Sequence, residues 1–119
     1  MNERYRTFQV KSYSSGTFGR AISNARNHHF VADDVGGDEV GPAEYFFSGI
    51  SACAVNMVEK IARQKEIPLQ WMEVSIDAMR DTEKEVQERT VYDEVNVHFE
   101  LWGVAEDQAN ELVNAWKRD

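Results

Sequence analysis

Apolar residues return at three- and four-residue intervals along one long stretch of this chain and at every second residue along two others. Phe46, Phe47, Ile50, Cys53, Ala54, Met57, Val58 and Ile61 make up the first series, which predicts a helix from Pro42 to about Lys65 with one apolar stripe. Pro42 suits the first helical position, and Glu44 brings a carboxylate into the first turn, where the helix dipole favours it. Ile67-Pro68 ends the helix, because the residue before a proline is pushed out of the helical region. Glu59, Lys60, Arg63 and Glu66 are assigned to the flank away from the stripe, while Gly49, Ser51, Ala52 and Ala54 allow close approach of another helix or sheet.

Beyond Pro68 the period changes to two. Met72, Val74, Ile76 and Ala78 alternate with Glu73, Ser75 and Asp77, and Val91, Val95, Val97, Phe99 and Leu101 alternate with Tyr92, Glu94, Asn96, His98 and Glu100. Both patterns predict half-buried strands. The intervening residues 80–89 are nearly all charged and read as a solvated hairpin connection. Gly103 closes the second strand, and residues 105–118 form an amphipathic helix with Ala109, Leu112, Val113 and Trp116 on one side. Toward the N-terminus, residues 4–12, 17–24 and 28–32 read as three shorter strands, the first two divided by a Ser14-Ser15-Gly16 turn. The order β-β-β-α-β-β-α indicates an α+β domain with a mainly antiparallel sheet.

A length of 119 residues fits one domain, residues 1–119, and a chain of this size buries roughly two-thirds of its unfolded surface. The net charge of −8 argues against nucleic acid or an anionic membrane as partner, since both need a basic face. A single cysteine makes no internal disulfide. The N-terminal MNERYRTFQVKSY lacks the apolar segment of a signal peptide, and no apolar run has membrane-spanning length. The expectation is a soluble, cytoplasmic protein.

Candidate chemistry centres on Cys53, in mid-helix behind the glycine-rich acidic loop GGDEVGPAE of residues 36–44. Its thiol is either a small packing residue or a nucleophile, and local charge and access decide which. Mid-helix placement gives it little help from the dipole, so a thiolate there needs a cation nearby in space. His28-His29 point to opposite faces of a strand and do not share one metal ion. Asp33-Asp34 with Asp38-Glu39 lack calcium-loop spacing and read as a solvated acidic loop. No metal or other cofactor is expected. Tyr45, Phe46, Phe47 and Trp71 either line an apolar pocket or pack in a core or dimer interface.

The order of elements, the segment GGDEVGPAEYFFSGISACAVNMVEKIARQKEIPLQWMEVSIDAMRD and the later YDEVNVHFELWG and AEDQANELVNAWKR resemble the OsmC/Ohr family of osmotically inducible and organic-hydroperoxide-resistance proteins. The resemblance covers nearly the whole chain. It implies an OsmC-like intertwined homodimer with long central helices, sheets wrapped around them and two active sites at the subunit interface. It further implies that Cys53 attacks the O–O bond of an organic hydroperoxide, that an arginine and a glutamate stabilise the thiolate and place the peroxide, and that a second cysteine then forms a disulfide that external thiols reduce. Arg20, in the Gly19-Arg20 step, matches the family's early arginine, with Arg26 as the alternative.

Two departures bear on this reading. In the peroxidase branch the carboxylate directly follows the proline, whereas here Ala43 does and Glu44 comes next. Nine residues separate Glu44 from Cys53, roughly 900° of helix, so the two side chains take opposite faces of a regular helix. Glu44 is then either a positioning group for the site or a carboxylate bonding the helix start. The family's resolving cysteine follows the segment matching Trp116-Lys117-Arg118, and this sequence stops at Asp119. Either the sequence is truncated or an external thiol resolves a sulfenic acid on Cys53. The leading expectation is a hydroperoxide-reducing thiol peroxidase of oxidative-stress defence; the alternative is a non-catalytic OsmC-like dimer that binds an apolar small molecule.

Overall fold

Two short hairpin turns and one long helix organise the chain. The computed structural model describes residues 4–83 and 92–118, in the order β1 (Lys11–Ser14), β2 (Arg20–Ala25), β3 (His28–Asp33), α1 (Pro42–Gln64), β4 (Trp71–Met79), β5 (Glu94–Trp102) and α2 (Glu106–Arg118). It is an α+β fold with every strand pair antiparallel, but the strands form two sheets, β1-β2-β3 and β4-β5. The contacts divide the chain into two compact units, one up to Phe46 and one from Phe47.

In the first unit, β2 and β3 are joined by Arg26 and Asn27 alone, both with positive φ (49° and 66°). A two-residue loop of this hand matches the twist of its flanking strands, and asparagine tolerates the left-handed region well. Asn24 Oδ1 accepts the Asn27 N–H at 3.1 Å and steadies the turn. The turn fixes the register: Ala25 faces His28, and the ladder runs back to Arg20 opposite Asp33. It also shortens the first strand. Lys11 pairs with Asn24, so residues preceding β1 have almost no β2 left to face. The expected strand over residues 4–12 is therefore only the four-residue β1, with Tyr5, Phe8 and Val10 exposed before it. The strand expected from residue 17 begins instead at Arg20, because residues 15–19 form the turn. There Ser15 Oγ donates to Arg20 O at 2.8 Å and accepts the Thr17 N–H at 3.1 Å.

Helix α1 matches its predicted span to within a residue or two. Glu44 Oε1 accepts the Gly41 N–H at 2.8 Å, the third-residue half of a capping box. At the other end Glu66 takes φ +57°. The Ile67 N–H reaches Ala62 O at 2.8 Å and the Glu66 N–H reaches Arg63 O at 3.2 Å. This is a Schellman termination, with glutamate where glycine is usual.

The expected single apolar stripe of α1 is in fact two. Ala54, Val58, Ile61 and Ala62 are buried, while Phe46, Ile50 and Cys53 are exposed. At 100° per residue, Cys53 lies about a third of a turn from the line through Ala54 and Val58. A stripe drawn wide enough to hold both had merged two faces.

The second unit builds its core on that buried face. Met72, Val74, Ile76 and Ala78 on β4 stand directly opposite Leu101, Phe99, Val97 and Val95 on β5, so the predicted alternation aligns into one apolar sheet face. Val58, Ile61 and Ala62 of α1 meet Met72, Leu112 and Ala115 over it, and Phe99 packs edge-on against Trp116 with centroids 5.0 Å apart. Burial thins along the hairpin, from Met72 at 6% exposed to Val95 at 47%. The charged connection expected over residues 80–89, and Val91, lie partly or wholly outside the described residues. Among the described residues, no helix is long and apolar enough to cross a membrane.

Candidate functional site

Each residue singled out in the sequence has a definite local setting. Cys53 is exposed on α1, in a groove of about 610 Å³ lined by Gly49, Asn56, Met57, Lys60, Ile61 and Gln64. The groove follows the second face of the helix. Lys60, expected on the far flank, lies along the same groove two turns on from Cys53. Seven residues complete almost two full turns, a periodicity that could have placed Lys60 correctly.

Arg20, Asp33 and Glu44 belong to the first unit, and Cys53 to the second. Arg20 opens β2 directly across from Asp33, which ends β3. The guanidinium meets the carboxylate side-on, Nε to Oδ1 at 2.6 Å and Nη2 to Oδ2 at 2.8 Å. Asp33 is 5% exposed, and its Oδ2 also accepts the Glu39 N–H at 3.0 Å. Its backbone N–H donates to Val40 O at 3.0 Å, and the Asp34 N–H donates to Gly19 O at 2.8 Å. The acidic loop is thus folded around one buried carboxylate. The fit is tight: a Cβ on Gly37 would lie 2.6 Å from Asp33 Cβ and 2.8 Å from Oδ2.

Electrostatics follow the geometry. The Arg20 hydrogen bond, the backbone N–H groups of Glu39 and Asp38 and the guanidinium charge outweigh desolvation and hold Asp33 down to about 2. Hydrogen bonding to Asp33 and its charge, with Glu39 and Asp38 adding, push Arg20 above its ordinary range. A depressed carboxylate stabilises the fold only while ionised. The contribution of Asp33 should be complete above its ordinary value of 3.8 and vanish as pH falls toward about 2. Denaturation midpoints of wild type and Asp33→Asn, followed against pH, should therefore differ at neutral pH and converge across that window. Parallel curves would refute the assignment.

Arg26, the alternative arginine, occupies the β2–β3 turn and is exposed. Glu44 has its carboxylate on the Gly41 N–H. Tyr45 donates its hydroxyl to Val31 O at 2.8 Å and packs on Phe30; Phe47 packs edge-on against Tyr92, and Phe46 and Trp71 are exposed. Asp33, read in the sequence as part of a solvated loop, is the residue that reading missed. Counting back from the Arg26-Asn27 turn pairs it with Arg20, so a hairpin register was the signal that could have found it.

The sequence profile of the family described as OsmC-like protein matches residues 35–119, and the chain belongs to that family. Among solved structures, it is similar to an OsmC-like protein from Mycoplasma pneumoniae, with a TM-score of 0.83 and 15% identity over 95% of this chain and 82% of that one. An organic hydroperoxide resistance protein OsmC from Legionella pneumophila gives 0.73 and 16%, over 95% and 83%. The organic hydroperoxide resistance protein OhrB of Bacillus subtilis gives 0.63 and 20%, over 95% and 84%. At these identities the likeness is one of fold. No significant match is found among curated proteins.

Proposed function

We propose that this protein is a thiol-dependent peroxidase that reduces organic hydroperoxides, working as a homodimer with Cys53 as nucleophile. The observation that carries the reading is the exposure of Cys53. A free cysteine on an apolar helix is ordinarily a packing residue, yet this one is off the core and open to a reactant. Family membership, and relatives named for hydroperoxide resistance, support the same chemistry.

In the reaction, the Cys53 thiolate attacks one peroxide oxygen. An S–O bond forms, the O–O bond breaks, and the departing alkoxide takes a proton to leave as the alcohol. The sulfenic acid on Cys53 is then attacked by an external thiol, releasing water and leaving a mixed disulfide. A second thiol displaces Cys53 and carries away the oxidised reductant. By the family resemblance Arg20 is the cation assigned to the thiolate, and Glu44 serves the site by holding the start of α1.

The dimer reading rests on apolar surface continuing past the core of the second unit. Ile50 is 36% exposed on the second face of α1, and Met79 and Val95 at the thin end of the hairpin are 57% and 47% exposed. A second copy is the occupant chosen, since apolar faces of this kind are covered in stable assemblies. Sedimentation should give a dimer for wild type and a smaller species for Ile50→Glu. A monomeric wild type at micromolar concentration would reject it. The enzyme reading is tested by turnover of cumene hydroperoxide with a dithiol reductant, comparing wild type with Cys53→Ser. A wild-type Cys53 inert to alkylation in the folded protein, with no turnover, would favour binding of an apolar small molecule instead.

A further inference from the structure

We infer that Asp33 is the positioning residue for Arg20, fixing which edge of the guanidinium is presented to an anion; the inference rests on the reading of Arg20 as the cation of Cys53. A guanidinium has five N–H donors in a rigid fork. Asp33 engages the side edge, through Nε and Nη2 at 2.6 and 2.8 Å. Among the described residues no further acceptor is bonded to the Arg20 guanidinium, which leaves the Nη1 end and the second Nη2 proton for another anion. The side chain retains 36% exposure. It lines a shallow groove of about 520 Å³ with Ser12, Tyr13, Ala21, Ala32 and Pro42.

The holder is itself held. Asp33 is buried, its Oδ2 is shared with the Glu39 N–H at 3.0 Å, its backbone is bonded to Val40, and Gly37 packs against it. Glu44, the other carboxylate considered for the site, is occupied by the Gly41 N–H. The carboxylate that orients the arginine is therefore on strand β3, and the one on the helix start has a capping task. A guanidinium fixed at one edge loses little rotamer freedom when its other edge meets a second anion.

The test is a cycle of variants read by the rate of Cys53 alkylation with iodoacetamide at pH 7, which needs no hydroperoxide and so is independent of turnover. Arg20→Gln should slow alkylation roughly tenfold, the scale of one charge-assisted hydrogen bond. Asp33→Asn should slow it by a similar factor, and the double variant should be no slower than Arg20→Gln. Asp33→Glu should recover much of the rate. Arg20→Lys, which keeps the charge but lacks the fork, should be as slow as Arg20→Gln, and it decides the matter even where Asp33→Asn folds poorly.

Faster alkylation in Asp33→Asn would mean that the carboxylate only neutralises the arginine, and would overturn the inference. So would a fully active Arg20→Lys, or additive losses in the double variant. An unchanged rate in Arg20→Gln overturns it too, while leaving Cys53 as the nucleophile. Absence of hydroperoxide turnover in the wild type would reject the peroxidase reading alone and leave the alkylation cycle to be judged by itself.

Discussion

Replacing Cys53 by serine should reduce hydroperoxide turnover to the uncatalysed rate, a loss on the order of 10³-fold or more, as removal of a nucleophile generally costs. The substituted oxygen is similar in size and stands at an exposed position on α1, so the fold should change by less than about 0.5 kcal/mol. What disappears is the polarizable, exposed sulfur. A serine hydroxyl has no comparable oxidised state to accept the peroxide oxygen. One equivalent of hydroperoxide, given without reductant, should add a single oxygen atom to the wild-type mass and none to the variant. Equal turnover by the two proteins would end the enzymatic account.

The largest effect on stability is expected at Leu112. It is 0% exposed and stands in the cluster formed with Val58, Ile61, Ala62, Met72 and Ala115. Leu112→Ala removes apolar volume that three separate elements enclose, and it should cost about 2–5 kcal/mol. The upper part of that range applies if the hairpin and helices cannot close over the vacancy. Urea denaturation should show a clear fall in midpoint with little change in slope. Glu111, its exposed neighbour on the same helix, provides the control, since Glu111→Ala should move the midpoint only slightly. A loss under about 1 kcal/mol for Leu112→Ala would mean that this cluster is not the core of the unit.

The elements legible in the sequence were those whose periodicity is reinforced by burial. β4 and β5 were readable because Met72, Val74 and Ile76 find Leu101, Phe99 and Val97 directly opposite, so the alternation has one physical cause. α1 was readable in extent, but its faces were not. Hydrophobicity alone cannot separate Ala54 and Val58, which meet the core, from Ile50 and Cys53, which do not. β1 was overextended because alternation in residues 4–10 carries no information about where its partner strand ends.

The candidate site was legible by residue type but not by pairing. Cys53 stood out as the sole cysteine, and Arg20 through a family resemblance. No carboxylate is assigned to Arg20 from the sequence, where Glu44 reads as a positioning group or a helix cap. The carboxylate that pairs with Arg20 lies across a hairpin at Asp33, and only the register set by the Arg26-Asn27 turn brings the two together. Long-range partnership of this sort is written in turn geometry more than in local composition.

The narrow space beside Asp33 makes its pairing with Arg20 vulnerable at a residue that has no functional group of its own. Any substituent at Gly37 must push against the carboxylate that seats Arg20. Even alanine there would be transmitted, through two side chains, to the orientation of a charge. Bulk at position 37 therefore bears on the seat of Arg20 although glycine brings no reactive group of its own.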